Sequence, residues 1–431
     1  MKKIIYTIML SMGTVVLLPS CETDFENPNA PLVQAVTEST NNLLGLIVGL
    51  EYQYTVGGGS GLYSAITGSG FSAGELDLIN AGNAPLANLL DGGGTLTPGN
   101  SVVTNLWTNL QLVRNNAQTV IDNAGNAGTP EVESAIRAYG LFYKGLALGT
   151  MSQFWEQGVV TSEANAPFVS RSEALNLAIS SLEEAATLVG SGVPEQVTGA
   201  VGSQIDLPNA IQALIARYSL MNGDNTKAIS AANAVDPGST SVFIYDEVSP
   251  NPVFRSSLTT NNVFDAKTNP FFGLEGDLAV TDSTDARIDF YLEANADNGK
   301  GFFTSDGASI PVYVPGEMQL IIAEANAREG NISAAVAALD AVLTKTPAED
   351  PLGLGAGLPA YAGPADQAAV LTEIYKNRCI ELYMSGMKLE DSRRFGRPGP
   401  NDANAERNRN WYPYPNAERD NNTNTPTDPE V

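Results

Sequence analysis

The residues of this chain whose types and spacing could do chemistry are aromatic rings set among short polar side chains. The chemistry they suit is the holding of a sugar. A sugar ring offers an apolar face and a rim of hydroxyls. A receptor places an aromatic plane under the face and lets Asp, Asn, Gln or Arg reach the rim. Two stretches combine these types. In the first, Tyr63 and Phe71 stand close in sequence to Glu75, Asp77 and Asn80. In the second, Phe254, Phe271, Phe272 and Tyr291 stand near Arg255, Asn269 and Asp289. Core packing is the competing role for each of these rings. Trp107 and Trp155 lie within or at the end of helical patterns and read as structural, as do Trp411, Tyr412 and Tyr414 near the end of the chain.

Catalytic alternatives are few. The chain has no histidine, which removes Ser-His-Asp triads, Cys-His dyads and HExxH zinc sites together. No GxSxG or phosphate loop occurs: Gly299-Lys300 lacks the upstream glycine and the following Ser or Thr, and Gly57-Gly58-Gly59 fails the GxGxxG spacing at Leu62. Two carboxylates could still cleave a glycosidic bond, yet nothing in the sequence singles out a pair. Asp282, Asp285 and Asp289 read as solvated surface rather than a calcium site. The chain thus reads as a non-enzyme with no cofactor and no metal. A net charge of −25 argues against nucleic acid and against adsorption on anionic lipid.

Helices must position these residues. Thr129-Pro130-Glu131 supplies an N-cap, an N1 proline and an acidic first turn for a helix running to about Trp155. Ser170 and Glu173 form a capping box ahead of a stripe of Leu175, Ala178, Ile179, Leu182, Ala186 and Val189. A further helix spans about Val102 to Ile121. Two hairpins then share a pattern: ALIARYSLMNGDNTKAISAANAV from Ala213 and LIIAEANAREGNISAAVAALDAV from Leu320. Ala216 matches Ala323, Gly223 matches Gly330, and Ala228, Ala231 and Ala234 match Ala335, Ala338 and Ala341. Glycine suits the left-handed turn that ends the first helix of each, and the alanines let the second pack closely. Such units read as tetratricopeptide-like. The helices fall at about 102–235 and 316–345. Residues 57–100 and 239–315 lack sustained helical period and read as a loop-rich lobe carried by the repeats.

The segment Leu371 to Gly396 reads LTEIYKNRCIELYMSGMKLEDSRRFG. Ile374, Tyr375, Ile380, Leu382 and Tyr383 give a largely apolar helix, Gly386 interrupts it, and a cationic segment follows. Arg378 and Glu381 stand three apart and can pair on the helix surface, while Cys379 reads as a small core residue. Arg378, Glu381, Leu382, Gly386, Asp391, Arg394 and Gly396 fall in register with a segment Arg-x-x-Glu-Leu-x-x-x-Gly-x-Arg-x-x-Asp-x-x-Arg-Trp-Gly. Tyr414-Pro415-Asn416-Ala417-Glu418, with Asn421 and Asn422, is similar to the terminal Ile-Pro-x-x-Glu and nearby Asn that accompany it. This order of residues resembles the SusD/RagB family, the surface lipoproteins that hand nutrients to outer-membrane transporters in Bacteroidetes. Lys388 departs from the family's Arg and Phe395 from its Trp.

The resemblance implies a mainly α, SusD-like fold, with four helical-repeat hairpins and an irregular ligand lobe in one domain over residues 21–431, closed by helices and a tail at 366–431. It implies an oligosaccharide ligand and a TonB-dependent, SusC-like transporter as partner. The motif residues Arg378, Glu381, Gly386, Asp391 and Arg394 would then be structural. The alternatives are a peptide or another nutrient with the same partner, a repeat scaffold that binds no small ligand, or an all-α polysaccharide-degrading enzyme.

The front end fits an export route. Lys2 and Lys3 precede an apolar run from Ile4 to Leu18, too short for a membrane span. Leu18-Pro19-Ser20-Cys21 then places a leucine three residues before, and a small residue directly before, a cysteine. That spacing suits lipidation of Cys21 after removal of residues 1–20. The expected location is the outer membrane, anchored by lipid alone, with Glu22, Asp24 and Glu26 similar to a surface-export signal of Bacteroidetes lipoproteins.

Overall fold

A computed structural model describes residues 36–190, 192–257 and 262–431; the expected leader over residues 1–20 and the expected lipidation site Cys21 lie outside them. The first helices are α1 (Thr40–Thr55), α2 (Gly61–Ser72), α3 (Ala84–Asp91), α4 (Ser101–Asn123), α5 (Pro130–Met151) and α6 (Arg171–Leu188). Next come α7 (Glu195–Val201), α8 (Leu207–Met221), α9 (Asn225–Asn233), α10 (Pro252–Ser257) and α11 (Ala286–Leu292). The last five are α12 (Pro315–Arg328), α13 (Ile332–Leu343), α14 (Gln367–Glu381), α15 (Lys388–Arg394) and α16 (Asn416–Asn421). Among the described residues, six short strands form three antiparallel ribbons. β1 (Leu76–Leu78) pairs with β5 (Phe264–Ala266), β2 (Gln157–Val159) with β3 (Phe168–Ser170), and β4 (Val242–Phe243) with β6 (Ile310–Pro311). No described helix is long and apolar enough to cross a membrane.

Local signals explain the helix starts. The Thr129 side chain accepts the Val132 N–H above Pro130, with Glu131 and Glu133 in the first turn of α5. Ser170 and Glu173 make the reciprocal capping box of α6. Between α8 and α9 the chain turns at Gly223 (φ 83°), and between α12 and α13 at Gly330 (φ 81°), a left-handed backbone in which a side chain would be strained.

Four two-helix units result: α1 with α4, α5 with α6, α8 with α9, and α12 with α13. The second helix of each packs on the first helix of the next, and α14 covers the last. Close approach comes from small residues. A Cβ on Gly140 would lie 2.8 Å from Ile121, one on Gly145 2.7 Å from Leu182, and one on Gly149 2.0 Å from the Tyr218 ring. α5 therefore meets α4, α6 and α8 through three glycines.

Residues 57–100 differ from the loop expected of them. α2 lies there with every residue buried, and it packs under α4 and α15. Its glycines and serines lower intrinsic helicity, but they let a helix be enclosed on all sides. A Cβ on Gly68 would lie 2.9 Å from the Tyr412 hydroxyl, and one on Gly70 2.7 Å from Leu76. The Thr67 hydroxyl donates to Tyr63 O at 2.8 Å, satisfying itself within the helix. The first unit also begins earlier than expected, because α1 lies upstream of the 102–235 stretch. α5 ends at Met151, and turns rather than helix carry the chain to Trp155.

Candidate functional site

The closing motif is a buried ionic lattice. Arg378 and Glu381 are 1 % and 0 % exposed, and they do not pair on a helix surface as their spacing suggests. Arg378 grips Asp391 through two hydrogen bonds of 2.8 and 3.0 Å. Arg394 grips Glu324 of α12 at 2.7 and 2.8 Å and also reaches Asp391 at 2.8 Å. Arg328 joins Glu324 from the same helix. Glu381 instead receives Arg287 of α11 at 3.1 Å, and that guanidinium also holds Asp285 and Asn377. Asp285 is therefore buried in an ion pair, not solvated; Asp282 and Asp289 are exposed. Burial alone would raise the Glu324 carboxyl, but Arg394, Arg378 and Arg328 overcome it and hold the group at about 2. Gly386 (φ 86°) turns the chain between α14 and α15 and lets both ends reach this lattice.

The tail is stitched to the repeats. Trp155 Nε1 donates to Pro413 O at 3.0 Å and Trp107 Nε1 to Glu418 at 3.0 Å. The two indoles meet edge to face at 4.9 Å, and the Arg393 guanidinium lies 3.8 Å from the Trp411 ring centre. Cys379 is buried as a free thiol.

Most of the rings expected to face a ligand are core. Tyr63 and Phe71 of α2 pack against Phe264 of β5, and Phe254 is buried on α10. Phe272 is 0 % exposed and meets Tyr291 and Tyr383 edge to face. Tyr291 donates its hydroxyl to Glu381 O at 2.9 Å. These rings offer no face to a sugar. Phe271 alone of the set is open, at 37 %. Asp77 is exposed on β1, opposite Asp265 of β5, whose carboxylate Lys300 neutralises at 2.9 Å.

Phe271 belongs to the loop that forms one wall of a cleft of about 600 Å³. Lys267 and Gly273–Leu278 line this side, and Arg397, Pro398 and residues 403–406 line the other. Lys388, the first residue of α15, lies at its inner end. The loop passes close over the turn after α2: Phe272 (φ 59°) and Gly273 (φ 66°) are both left-handed. A Cβ on Gly273 would sit 2.3 Å from Gly74 O, so only glycine fits. The Tyr383 hydroxyl anchors both sides of the crossing, Glu75 O at 2.8 Å and Lys267 O at 3.0 Å. Arg397 ties the walls together, holding Asp277 at 3.0 and 2.7 Å and Glu406 at 2.7 Å.

Beneath the cleft lies Glu75, 0 % exposed. One carboxylate oxygen accepts the Met384 N–H at 3.3 Å, and the other has no hydrogen-bond partner. Burial pushes this carboxyl from 4.5 up to about 7, against the opposing pull of Lys388. As pH rises through the window from 4.5 to 7 the unfolded chain gives up this proton while the folded chain keeps it, so folding loses stability across that window and stays lower above it. Glu75→Gln imitates the protonated form. We expect it to match the parent near pH 4 and exceed it by up to about 3 kcal/mol at pH 8. Urea denaturation at the two pH values measures this, and a variant less stable at pH 8 than the parent would refute it.

The sequence reading did not point to Lys267, Asp277, Arg397 or Glu406. Residues 267–278 and 397–406 are far apart in the chain and share no local motif. Lys388 carried one signal, as a departure from the Arg of the resembled motif.

No protein-family model matches this chain, and no curated protein matches it. Solved structures do. A SusD superfamily protein from Bacteroides thetaiotaomicron superposes with a TM-score of 0.71 at 15% identity, covering 91% of this chain and 100% of its own. One from Bacteroides fragilis gives 0.67 at 18% identity, covering 90% and 98%. A structure described as a SusD-like carbohydrate binding protein from Bacteroides vulgatus gives 0.65 at 16% identity, covering 83% and 84%. With its four repeat units, its closing ionic lattice and these superpositions over nearly the whole described chain, this protein has the SusD-superfamily fold.

Proposed function

We propose that this protein is a lipid-anchored, cell-surface receptor that binds oligosaccharides and passes them to a TonB-dependent transporter of the outer membrane. The observation that carries the reading is the cleft of about 600 Å³ on the lobe of a SusD-like scaffold. Its rim presents groups suited to sugar hydroxyls: Asn404, Glu275 and the Arg397–Asp277 pair. Phe271 stands on the same loop and offers an apolar face. A similar fold in a protein described as carbohydrate binding supports the ligand class. The Cys21 signal supports the anchor, and the resemblance in the closing segment supports the transporter.

Binding without turnover fits the charges. Asp277 and Glu406, two of the three carboxylates that line the cleft, stand on opposite sides of it, and Arg397 pairs with both. Asp277 is thereby held below its ordinary value by the Arg397 hydrogen bonds, a poor state for a general acid. An open cleft, with the exposed Phe271 ring on the adjoining loop rather than in its lining, predicts affinities on the order of micromolar to millimolar. Affinity electrophoresis of the purified protein against a panel of oligosaccharides should show retardation, with every oligosaccharide recovered intact. Release of new reducing ends in proportion to protein would overturn the reading. So would retention of Cys21→Ala in the membrane fraction, which would show that the anchor lies elsewhere.

A further inference from the structure

Resting on that reading, we infer that the ligand is an acidic glycan whose carboxylate or sulfate is held between Lys388 at the inner end of the cleft and Lys267 on its wall. The protein as a whole carries −25, yet the cleft is lined by as many bases (Lys267, Lys388, Arg397) as acids (Glu275, Asp277, Glu406). The charges are not evenly spread. Arg397 is spent on Asp277 and Glu406, and Glu275 is exposed on the outer loop. The two lysines remain.

Lys388 is only 5 % exposed. Its ammonium makes one long hydrogen bond, 3.5 Å to Phe272 O, although it has three donors to place. The buried acids around it do not complete its shell. Asp391 is gripped by Arg378 and Arg394. Glu75 makes no hydrogen bond to Lys388: one carboxylate oxygen accepts from Met384 N–H and the other has no partner, and burial pushes this carboxyl up to about 7. Lys267 is half-buried, and its main chain is pinned by Glu75 O and by the Tyr383 hydroxyl. Its ammonium makes no hydrogen bond or ion pair among the described residues. Two cations thus line one cleft with donor capacity to spare, Lys388 buried and Lys267 half-buried.

An incoming carboxylate or sulfate would accept charge-assisted hydrogen bonds from both ammonium groups. A neutral sugar of the same shape would strip water from Lys388 without supplying a charge, so the same device that favours the acid penalises its neutral analogue. The preference should be about ten- to hundredfold, the worth of a hydrogen bond to a charged group. It should weaken as salt is added, because Lys267 is partly open to solvent.

A glycan array carrying neutral, uronate-bearing and sulfated oligosaccharides tests this with the parent protein, Lys267→Ala and Lys388→Met. We expect the bound set to be acidic, and Lys267→Ala to lower its signal about tenfold at unchanged melting temperature. Lys388→Met should do at least as much, and if burial makes it unstable the half-buried Lys267 still decides. Neutral glycans bound as well as acidic ones, or acidic binding indifferent to Lys267→Ala, would overturn the anion site and leave the glycan receptor standing. Failure to bind any glycan would overturn the receptor reading, and the acidic preference with it.

Discussion

Replacing Glu324 by alanine should cost about 3–5 kcal/mol of stability, the usual effect of removing one partner from a buried ionic cluster. The carboxylate is 0 % exposed and holds Arg394 through two hydrogen bonds, Arg328 through a third, and Arg378 at 3.7 Å. Its loss leaves three guanidinium groups crowded together, those of Arg378 and Arg394 largely shut off from water. Those groups come from α12, α14 and α15, so the damage falls where the last repeat unit meets the closing helices. The pH dependence has a definite sign. The folded carboxyl stays ionised down to about 2 against an ordinary 4.5, so its contribution is complete above 4.5 and is lost as pH falls from there through 2. Urea denaturation at pH 7 should show a large drop in midpoint for Glu324→Ala. Adding Arg394→Ala in that background should cost much less than Arg394→Ala alone. Simple additivity of the two would show that the lattice is not coupled.

That lattice also marks how far the sequence could be read. The residues of the motif were visible as a series, and their partners were not. Spacing in one helix suggested Arg378 with Glu381, whereas each side chain leaves its own helix: one for Asp391 and Glu324, the other for Arg287. Helical repeats were legible because their signals are local: caps at Thr129 and Ser170, turns at Gly223 and Gly330, alanines on the inner faces. α2 was not, because its composition is that of a loop and only enclosure by α4, α15 and Tyr412 makes it a helix. α1 was missed with it, and with α1 the first half of the first repeat unit. The aromatic residues were misread for a related reason. Much of this lobe is not a surface excursion: short helices carry Tyr63, Phe71, Phe254 and Tyr291 into the core, and a left-handed turn does the same for Phe272. The cleft joins stretches more than a hundred residues apart, a relation that no local pattern encodes.

Phe271 and Phe272 make the last point testable, because neighbouring residues of one type have opposite environments. Phe272 is fully buried between Tyr291 and Tyr383, and its backbone at this turn is left-handed. Phe272→Ala should therefore cost about 3–5 kcal/mol, the usual range for a buried aromatic ring truncated to a methyl group. The cavity would open directly beneath the cleft, next to Lys388, whose one hydrogen bond is to Phe272 O. Phe271 is 37 % exposed and has no ring partner among the described residues, so Phe271→Ala should shift stability by no more than about 0.5 kcal/mol. If its ring serves the cleft, Phe271→Ala should weaken oligosaccharide binding by about 1 kcal/mol, a modest stacking contribution. Melting curves and affinity electrophoresis on the two single variants separate these effects. A Phe271→Ala protein that unfolds early, or a Phe272→Ala protein as stable as the parent, would mean that the loop is seated differently and that the cleft walls are not those described.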